Sequence, residues 1–212
     1  MYYVKERKDG LKSDQLLTIH EYLANKRVLF LYGPILGMFG QYARTDMFSP
    51  SNIADAMLAL SLESDDPIYL VIDSEGGLVD EGFALYDMIK IIKCPVYTIG
   101  KKCYSMATIL MSGGEQGHRY IFPNTRTMLH LPQGGASGDS EEIRIQAKEM
   151  KKVKDKLVQI LQKNGVKKTA KQILRDIDRE YWMTAEETVE YGIADHILEK
   201  GFFDILKDVT GV

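Results

Sequence analysis

Short runs of apolar, β-prone residues alternate with segments of helical periodicity along most of this chain, and this alternation restricts the possible folds most. Three such runs, residues 27–32, 67–73 and 95–100, are each bounded by Gly or Pro. The run at 67–73 is apolar at nearly every position, which is typical of a strand covered on both faces. The βαβα order predicts an α/β domain with a largely parallel sheet and right-handed crossovers.

Helices are predicted between and after these strands. Ser51 is predicted to cap a helix that ends near Leu62, and an apolar stripe over 79–92 predicts a second helix. A third helix opens near Ser105. The runs at 119–122 and 126–130 are strand-like and are separated by a Pro-Asn turn.

A longer amphipathic helix is predicted from Asp139 to Gln162, where Asn164-Gly165 stops it, and Thr184 begins the capping box of a short final helix. The long helix has no obvious strand partner in the sequence. On a lone subunit, the exposed apolar area of this stripe would exceed the roughly few hundred Å² that is usual for an apolar patch on a monomer. We therefore expect this helix to pack against another subunit.

The composition is that of a soluble globular protein. The 212 residues are 45% hydrophobic and 27% charged, with a net charge of -3 and no basic block, so we expect neither nucleic-acid nor membrane partners. The N-terminus lacks the apolar core of a signal peptide, which predicts a cytoplasmic protein. Cys94 and Cys103 suit neither a disulfide framework nor a metal site, and no cofactor is expected. Residues 1–212 are interpreted as one domain.

Three places in the chain could supply parts of an acyl-transfer site. Gly76-Gly77 follows a predicted strand, and its N–H groups could face a developing oxyanion, although most such pairs only form a turn. Ser105 lies where a buried strand passes into a helix, and it could be either a nucleophile or a simple helix cap. His130 ends an apolar run, as a general base or as a hydrogen-bonded core residue. Each residue alone leaves both interpretations open.

Several motifs, in the right order between residues 17 and 198, resemble the proteolytic subunit of the Clp protease, the ClpP family. They are residues 67–77 (PIYLVIDSEGG), 104–107 (YSMA), 123–136 (PNTRTMLHLPQGGA), 142–148 (EIRIQAK), 179–187 (REYWMTAEE) and 190–195 (EYGIAD). The resemblance implies a ClpP/crotonase-like fold with stacked, largely parallel strands and flanking helices. It also implies a projecting handle helix within residues 136–165 and a flexible axial segment at residues 1–16.

The resemblance also implies the roles of the site residues. Ser105 would be the nucleophile and His130 the general base, and the amides of Gly77 and Met106 would form the oxyanion hole. The substrate backbone would bind as an added strand along residues 77–79 and 131–134. The substrate-binding residues would include Gly76, Leu78, Leu131 and Pro132.

The implied function is hydrolysis of unfolded polypeptides by a serine endopeptidase, inside a chamber formed by two stacked heptameric rings. In the family, a separate AAA+ ATPase unfolds the substrate and feeds it into the rings. The sequence contains no Gly-x-x-x-x-Gly-Lys-Ser/Thr phosphate loop, so any use of ATP would lie in that partner.

The third member of the catalytic triad departs from the family pattern, which usually has Asp. Aligning the motif that begins at Trp182 places Glu180 there, and Glu also orients the histidine in some Ser-His-Glu sites. Asp176, one helical turn earlier, is the reserve candidate, and Asp178 is the next alternative.

Other departures lie close to the predicted site. The segment before Ser105 is one residue shorter than usual and carries Lys101-Lys102, Glu75 replaces a frequent Pro, and residues 34–50 resemble an insertion. These departures leave two alternatives to an active serine peptidase of this family. One is a catalytically silent ring subunit with a structural or regulatory role; the other is a related fold that uses an oxyanion hole alone or a Ser–Lys dyad.

Overall fold

A computed structural model describes residues 3–6, 15–37, 48–199 and 201. Most of the segment 34–50 and the C-terminal tail at 202–212 lie outside the described residues. The described residues form nine strands and seven helices, in the order β1 (Tyr3–Glu6), β2 (Gln15–Thr18), α1 (Ile19–Asn25), β3 (Val28–Tyr32), α2 (Pro50–Glu63), β4 (Ile68–Ser74), α3 (Val79–Ile91), β5 (Val96–Tyr104), α4 (Met106–Ser112), β6 (Arg119–Ile121), β7 (Thr127–Leu129), α5 (Ser140–Lys163), α6 (Ala170–Asp176), β8 (Tyr181–Met183), α7 (Ala185–Tyr191) and β9 (His196–Ile197).

A seven-stranded sheet organises the fold. Its main path runs β3-β4-β5-β6-β9, with β7 paired to the end of β5 and β8 paired to β7. All of these pairs are parallel except β7 with β8, which are antiparallel. The predicted α/β fold with a largely parallel sheet and flanking helices is therefore confirmed. In addition, β1 and β2 form a separate antiparallel pair.

Strand β4 is covered on both faces, as its composition predicted. Leu70 and Ile72 belong to the main core, to which α2, α3 and α4 also contribute buried side chains. Tyr69 and Val71 belong to a smaller cluster on the opposite face, together with Val28 of β3. Because successive side chains of a strand point to opposite faces, the continuous apolar run supplies both clusters.

Strand β5 is longer than the predicted run at 95–100, and it contains an irregularity in its pairing with β4. Ile72 pairs with Gly100 and Asp73 with Lys102, so Lys101 is an extra residue on the β5 side. An extra residue bends a strand and increases its local twist. The irregularity therefore lies in the segment that leads to the end of β5.

The start of α2 differs from the prediction. The helix begins at Pro50 rather than after Ser51, because Ser49 is the N-cap and its hydroxyl accepts a hydrogen bond from the N–H of Asn52. Pro50 lies at the first helical turn, where its missing N–H leaves no bond unmade. The predicted capping box of Thr184 at α7 is confirmed, and Asp139, the predicted start of α5, is its N-cap and also completes a capping box.

A buried ion pair connects β6 to the last part of the chain. Arg119 donates from Nε to Oδ2 of Asp195 at 2.8 Å, and the same oxygen accepts the N–H of Gly117 at 2.8 Å. Nη1 of Arg119 also donates to the carbonyl oxygens of Asn164, at 2.7 Å, and Gly192, at 3.0 Å. Burial raises the pKa of Asp195, but the bonds and charge of Arg119 outweigh burial and hold this pKa below its ordinary value.

The first prediction concerns Asp195→Asn, which leaves Arg119 buried without its charged partner. We expect a loss of about 2 to 4 kcal/mol of unfolding free energy at neutral pH. Because the folded pKa of Asp195 is lowered, its stabilisation is present above the unfolded pKa, near 3.9, and is lost as the pH falls through the folded pKa. Urea midpoints of both proteins should therefore converge in acid.

The matched control for this experiment is Glu149→Gln, which breaks an exposed pair with Lys152 on α5. Exposed ion pairs contribute little to stability, so the urea midpoint of this control should stay close to that of the wild type. A loss in Asp195→Asn no larger than in Glu149→Gln would contradict a stabilising role for the Arg119 pair.

Candidate active site

The predicted nucleophile has a strained backbone. Ser105 lies between β5 and α4 with φ 55° and ψ −121°. Within the described residues, Arg27 is the only other non-glycine residue with a positive φ. The Ser105 side chain makes no capping hydrogen bond to α4, so the alternative of a simple helix cap is wrong. Strain of this kind persists only where the surrounding structure enforces it, as it does at many functional sites.

The carbonyl oxygen of Met128 in β7 holds this turn. It accepts the N–H of Ser105 at 2.7 Å, and the hydroxyl of Thr108 lies 2.9 Å from it. The Thr108 hydroxyl also lies 2.6 Å from the carbonyl oxygen of Cys103 in β5. Because His130 follows directly after β7, these contacts set the position of the nucleophile relative to the histidine.

The structure brings Ser105 and His130 together, with Nε2 of His130 at 2.8 Å from Oγ of Ser105. For the hydroxyl to donate to Nε2, the imidazole proton must lie on Nδ1. Nδ1 is buried and has no hydrogen-bond partner in the part of the chain that the structure describes. A buried donor without a partner costs about 1 to 3 kcal/mol, so an acceptor at this atom would be strongly favoured.

Glu180, the predicted acceptor, is bound elsewhere in this structure. Its Oε2 accepts a hydrogen bond from Nε1 of Trp182 at 3.0 Å. The geometry therefore brings two of the three predicted triad residues into contact. The role of Glu180 as the third member stays a prediction, because the carboxylate would have to leave the indole to reach Nδ1.

The two reserve carboxylates also have other partners. Asp176 accepts a hydrogen bond from the hydroxyl of Tyr191 at 3.3 Å, and burial, together with the Asp176 charge, raises the pKa of that tyrosine. Asp178 is exposed and lies 3.2 Å from the guanidinium of Arg179. No hydrogen bond joins either of these carboxylates, or that of Glu180, to His130 among the described residues, so Glu180 stays the first candidate on its motif position alone.

The predicted oxyanion turn packs directly on the nucleophile. A Cβ on Gly76, which has φ 85°, would lie 2.5 Å from the carbonyl oxygen of Tyr104 and 2.9 Å from the nitrogen of Met106. Gly77, with φ 150°, forms a parallel bridge with Ile35, whose backbone a Cβ would strike. Among the described residues, the N–H groups of Gly77 and Met106 donate to no protein acceptor. Two free N–H groups beside a serine can stabilise an oxyanion.

The predicted substrate-binding residues lie around this turn, but part of their backbone is already paired. Leu78 donates to Ile35 at 2.8 Å and accepts from Gly82 at 3.1 Å, and Leu131 donates to Ile177 at 3.0 Å. An added strand therefore cannot pair with Leu78 in this conformation. The Leu78 side chain instead lines an apolar groove of about 690 Å³ along α5, as does that of Pro132.

A second, much smaller cavity of about 30 Å³ opens directly beside the Ser105 hydroxyl. Its other lining residues are almost all apolar: Val79, Met106, Ile109, Leu129, His130, Pro132, Leu157, Leu161 and Ile177. An apolar cavity beside a nucleophile can accept the side chain of the residue whose carbonyl is attacked. No sequence motif indicated it, because its walls come from α3, α4, α5 and the loop after α6.

The lysines of the Ser–Lys alternative are engaged in ion pairs. Nζ of Lys102 lies 3.2 Å from Oε2 of Glu75 and 3.6 Å from Asp73, while Lys101 binds Asp73 at 3.0 Å. The hydrogen bond to Glu75 outweighs burial and raises the pKa of Lys102 above its ordinary value. A lysine general base needs the opposite shift. Two departures from the family pattern, Glu75 and Lys102, therefore contact each other.

The described residues contain no candidate metal site and no candidate membrane-spanning helix. No group of three or more His, Cys, Asp or Glu side chains within these residues could hold a metal ion. Within the same residues, no helix is both long enough and apolar enough to cross a membrane.

Comparison with known proteins agrees with the fold and the site geometry. The family model described as Clp protease matches residues 12–201. The chain is 34% identical over 200 residues to the ATP-dependent Clp protease proteolytic subunit 1 of Salinibacter ruber (strain DSM 13855 / M31), covering 93% of this chain and 81% of that protein. The chain therefore belongs to the Clp protease family. The resemblance inferred from the sequence motifs is confirmed.

The second prediction tests the close packing of the oxyanion turn. Gly76→Ala should slow covalent labelling of Ser105 by an organophosphonate at least about 100-fold, since the loss of one oxyanion donor has effects of this size. The added Cβ would push the turn away from Tyr104 and Met106. Labelling rates measured by intact mass provide the test.

The control for this substitution is Gly117→Ala, which separates crowding from backbone strain. Gly117 has nearly the same φ, 86° against 85°, but a Cβ there would meet nothing within 4 Å. Its labelling rate should remain near that of the wild type. Equal losses in both variants would show that strain, and not contact with the nucleophile, explains the effect.

Proposed function

We propose that the chain is a serine endopeptidase of the Clp type that hydrolyses peptide bonds of unfolded polypeptides. The observation that carries the proposal is the 2.8 Å contact between Oγ of Ser105 and Nε2 of His130, at a turn with a strained nucleophile. Membership of the Clp protease family supports a peptidase of this type. The unbonded N–H groups of Gly77 and Met106 support acyl transfer as its chemistry.

In the proposed reaction, Ser105 attacks the carbonyl carbon of the scissile bond while His130 accepts the hydroxyl proton at Nε2. The oxyanion is stabilised by the N–H groups of Gly77 and Met106. The imidazolium then gives its proton to the leaving amine, and an acyl-enzyme remains on Ser105. A water molecule, deprotonated by His130, hydrolyses this ester. Glu180 would stabilise the imidazolium at Nδ1 once its carboxylate has left the indole.

The substrate would be held mainly through its backbone, near Gly76 and Leu131 on either side of the nucleophile. The residue before the cleaved bond would place its side chain in the small cavity beside Ser105. Because the walls of this cavity are apolar, apolar side chains would be preferred there. Its volume of about 30 Å³ requires the walls to move apart when a large side chain enters.

The long helix α5 supports the proposed assembly. Residues 140–149 are exposed throughout, including Ile143 and Ile145, whereas the second half of the helix is packed into the core through Leu157 and Leu161. Exposure of apolar side chains on half a helix is expected where subunits meet. We propose two stacked heptameric rings that enclose a chamber and receive substrate from a separate AAA+ ATPase. Family membership supports rings and a Clp ATPase partner in general.

A second candidate function is a catalytically silent ring subunit with a structural or regulatory role. The observation that favours it is the buried Nδ1 of His130, which has no acceptor among the described residues while Glu180 is bound to Trp182. Without an acceptor at Nδ1, the imidazolium formed during acylation would be poorly stabilised. The same protein would then retain the fold and the contacts between subunits.

The third prediction separates these functions by labelling with a fluorophosphonate, read by intact mass. The wild type should gain one adduct, and Ser105→Ala and His130→Ala should gain none, because the nucleophile or its base is missing. Lys102→Met should label as the wild type does. No adduct on a correctly assembled wild-type ring would favour the silent subunit. Labelling lost in Lys102→Met but retained in His130→Ala would establish a Ser–Lys dyad.

The fourth prediction concerns assembly through α5. Ile143→Glu places a charge among the exposed apolar side chains of the helix, and burying an unpaired charge between subunits is strongly unfavourable. Sedimentation velocity should show the wild type as a large ring assembly at micromolar concentration and the variant as smaller species. Lys152→Glu, on the opposite side of α5, should sediment like the wild type. A wild type that remains monomeric, or an Ile143→Glu variant that still forms rings, would contradict the proposed interface.

A further inference from the structure

Strands β7 and β8 bring the side chains of His130, Glu180 and Trp182 to one face of the sheet. In their antiparallel register, Leu129 lies opposite Tyr181, and one further step places His130 opposite Glu180. Opposite residues of an antiparallel pair point to the same face, and so do residues two apart on one strand. Glu180 therefore has His130 as its neighbour across the strands and Trp182 as its neighbour along its own strand.

Two donors are thus within reach of one carboxylate. The indole Nε1 of Trp182 donates to Oε2 of Glu180 at 3.0 Å, whereas Nδ1 of His130 is buried and has no partner among the described residues. His130 and Glu180 line the same open cleft of about 700 Å³. The shared cleft gives the carboxylate space to turn from one donor towards the other.

The indole itself is held in place, although Trp182 is 40% exposed. The ring of Tyr104 meets it edge-on, with centroids 4.9 Å apart, and Cζ of Arg126 lies 5.8 Å from the indole ring. Such aromatic and cation–π contacts restrict the orientation of a surface ring. The N–H therefore stays directed at Glu180, and the bond it makes opposes the completion of the triad.

We propose that Trp182 is a positioning residue whose indole N–H holds Glu180 away from His130, so that this bond limits the rate of acylation at Ser105. The inference rests on the proposed serine peptidase function and deepens it. Acylation generates an imidazolium, which attracts the carboxylate more strongly than the neutral imidazole does. Glu180 would therefore exchange partners during the reaction, from Trp182 in the resting site to His130 in the acylating site.

The fifth prediction is a double-mutant cycle on the fluorophosphonate reaction, with kinact and KI measured for each protein. Trp182→Phe keeps an aromatic ring against Tyr104 and removes the N–H donor. Its kinact should rise by about threefold to tenfold with KI unchanged, since the net contribution of one hydrogen bond changes an equilibrium by up to about tenfold. Glu180→Gln in the Trp182→Phe background should remove the whole gain, and in the wild-type background it should have a smaller effect.

Other outcomes of the cycle would overturn the inference. They are a kinact of Trp182→Phe equal to or below that of the wild type, and a gain that persists when Glu180 is replaced. Either of these results on a protein that labels at Ser105 would leave the proposed function intact. No adduct on Ser105 in any of the proteins would overturn both the proposed function and the inference.

A second measurement needs no variant of Trp182 itself and so does not depend on that variant folding. Trp182 is the only tryptophan of the chain, so its fluorescence reports on this bond directly. Formation of the adduct on Ser105 should shift the emission of the wild type as Glu180 leaves the indole. The shift should be absent in Glu180→Gln. Emission that remains unchanged when the wild type is labelled would overturn the exchange of partners.

Discussion

The carbonyl oxygen of Met128 is the point on which the site depends. It binds the N–H of Ser105 and lies within hydrogen-bond distance of the Thr108 hydroxyl, so the turn after β5, helix α4 and strand β7 meet at one atom. The positive φ of Ser105 costs about 1 to 3 kcal/mol and persists only because these bonds enforce it. The same contacts set the distance between the nucleophile and His130, because His130 follows β7 by one residue.

The sheet at the centre of the chain could be predicted because its strands carry local signals. The runs at β3, β4 and β5 are apolar, are bounded by Gly or Pro, and are long enough to be recognised. Strand β8 has only three residues, Tyr181–Met183, and exists because it pairs with β7 more than fifty residues earlier in the chain. No local pattern encodes such a partner. The same holds for β1, which pairs with β2 alone among the described strands.

The site was predicted only in part, because only some of its features carry local signals in the sequence. Ser105 and His130 each follow a strand, and parallel strands place such residues at one edge of a sheet, while the family motifs identify their roles. The alignment also names Glu180, which lies opposite His130 when the register of β7 and β8 is continued by one step. What the alignment cannot predict is which donor a flexible carboxylate binds. That choice depends on the indole of Trp182 and its contacts with Tyr104 and Arg126, which become neighbours only in the folded chain.

The left-handed backbone of Ser105 has a consequence for how the site responds to heating. Proteins open locally before they unfold as a whole, and the strain of a turn is relieved as soon as the bonds that enforce it are released, which favours local opening there. The bonds at Met128 involve the first turn of a helix of seven residues, whereas the sheet below it is buried on both faces. Catalytic competence would therefore disappear at temperatures where the fold, and any assembly built from it, is still intact.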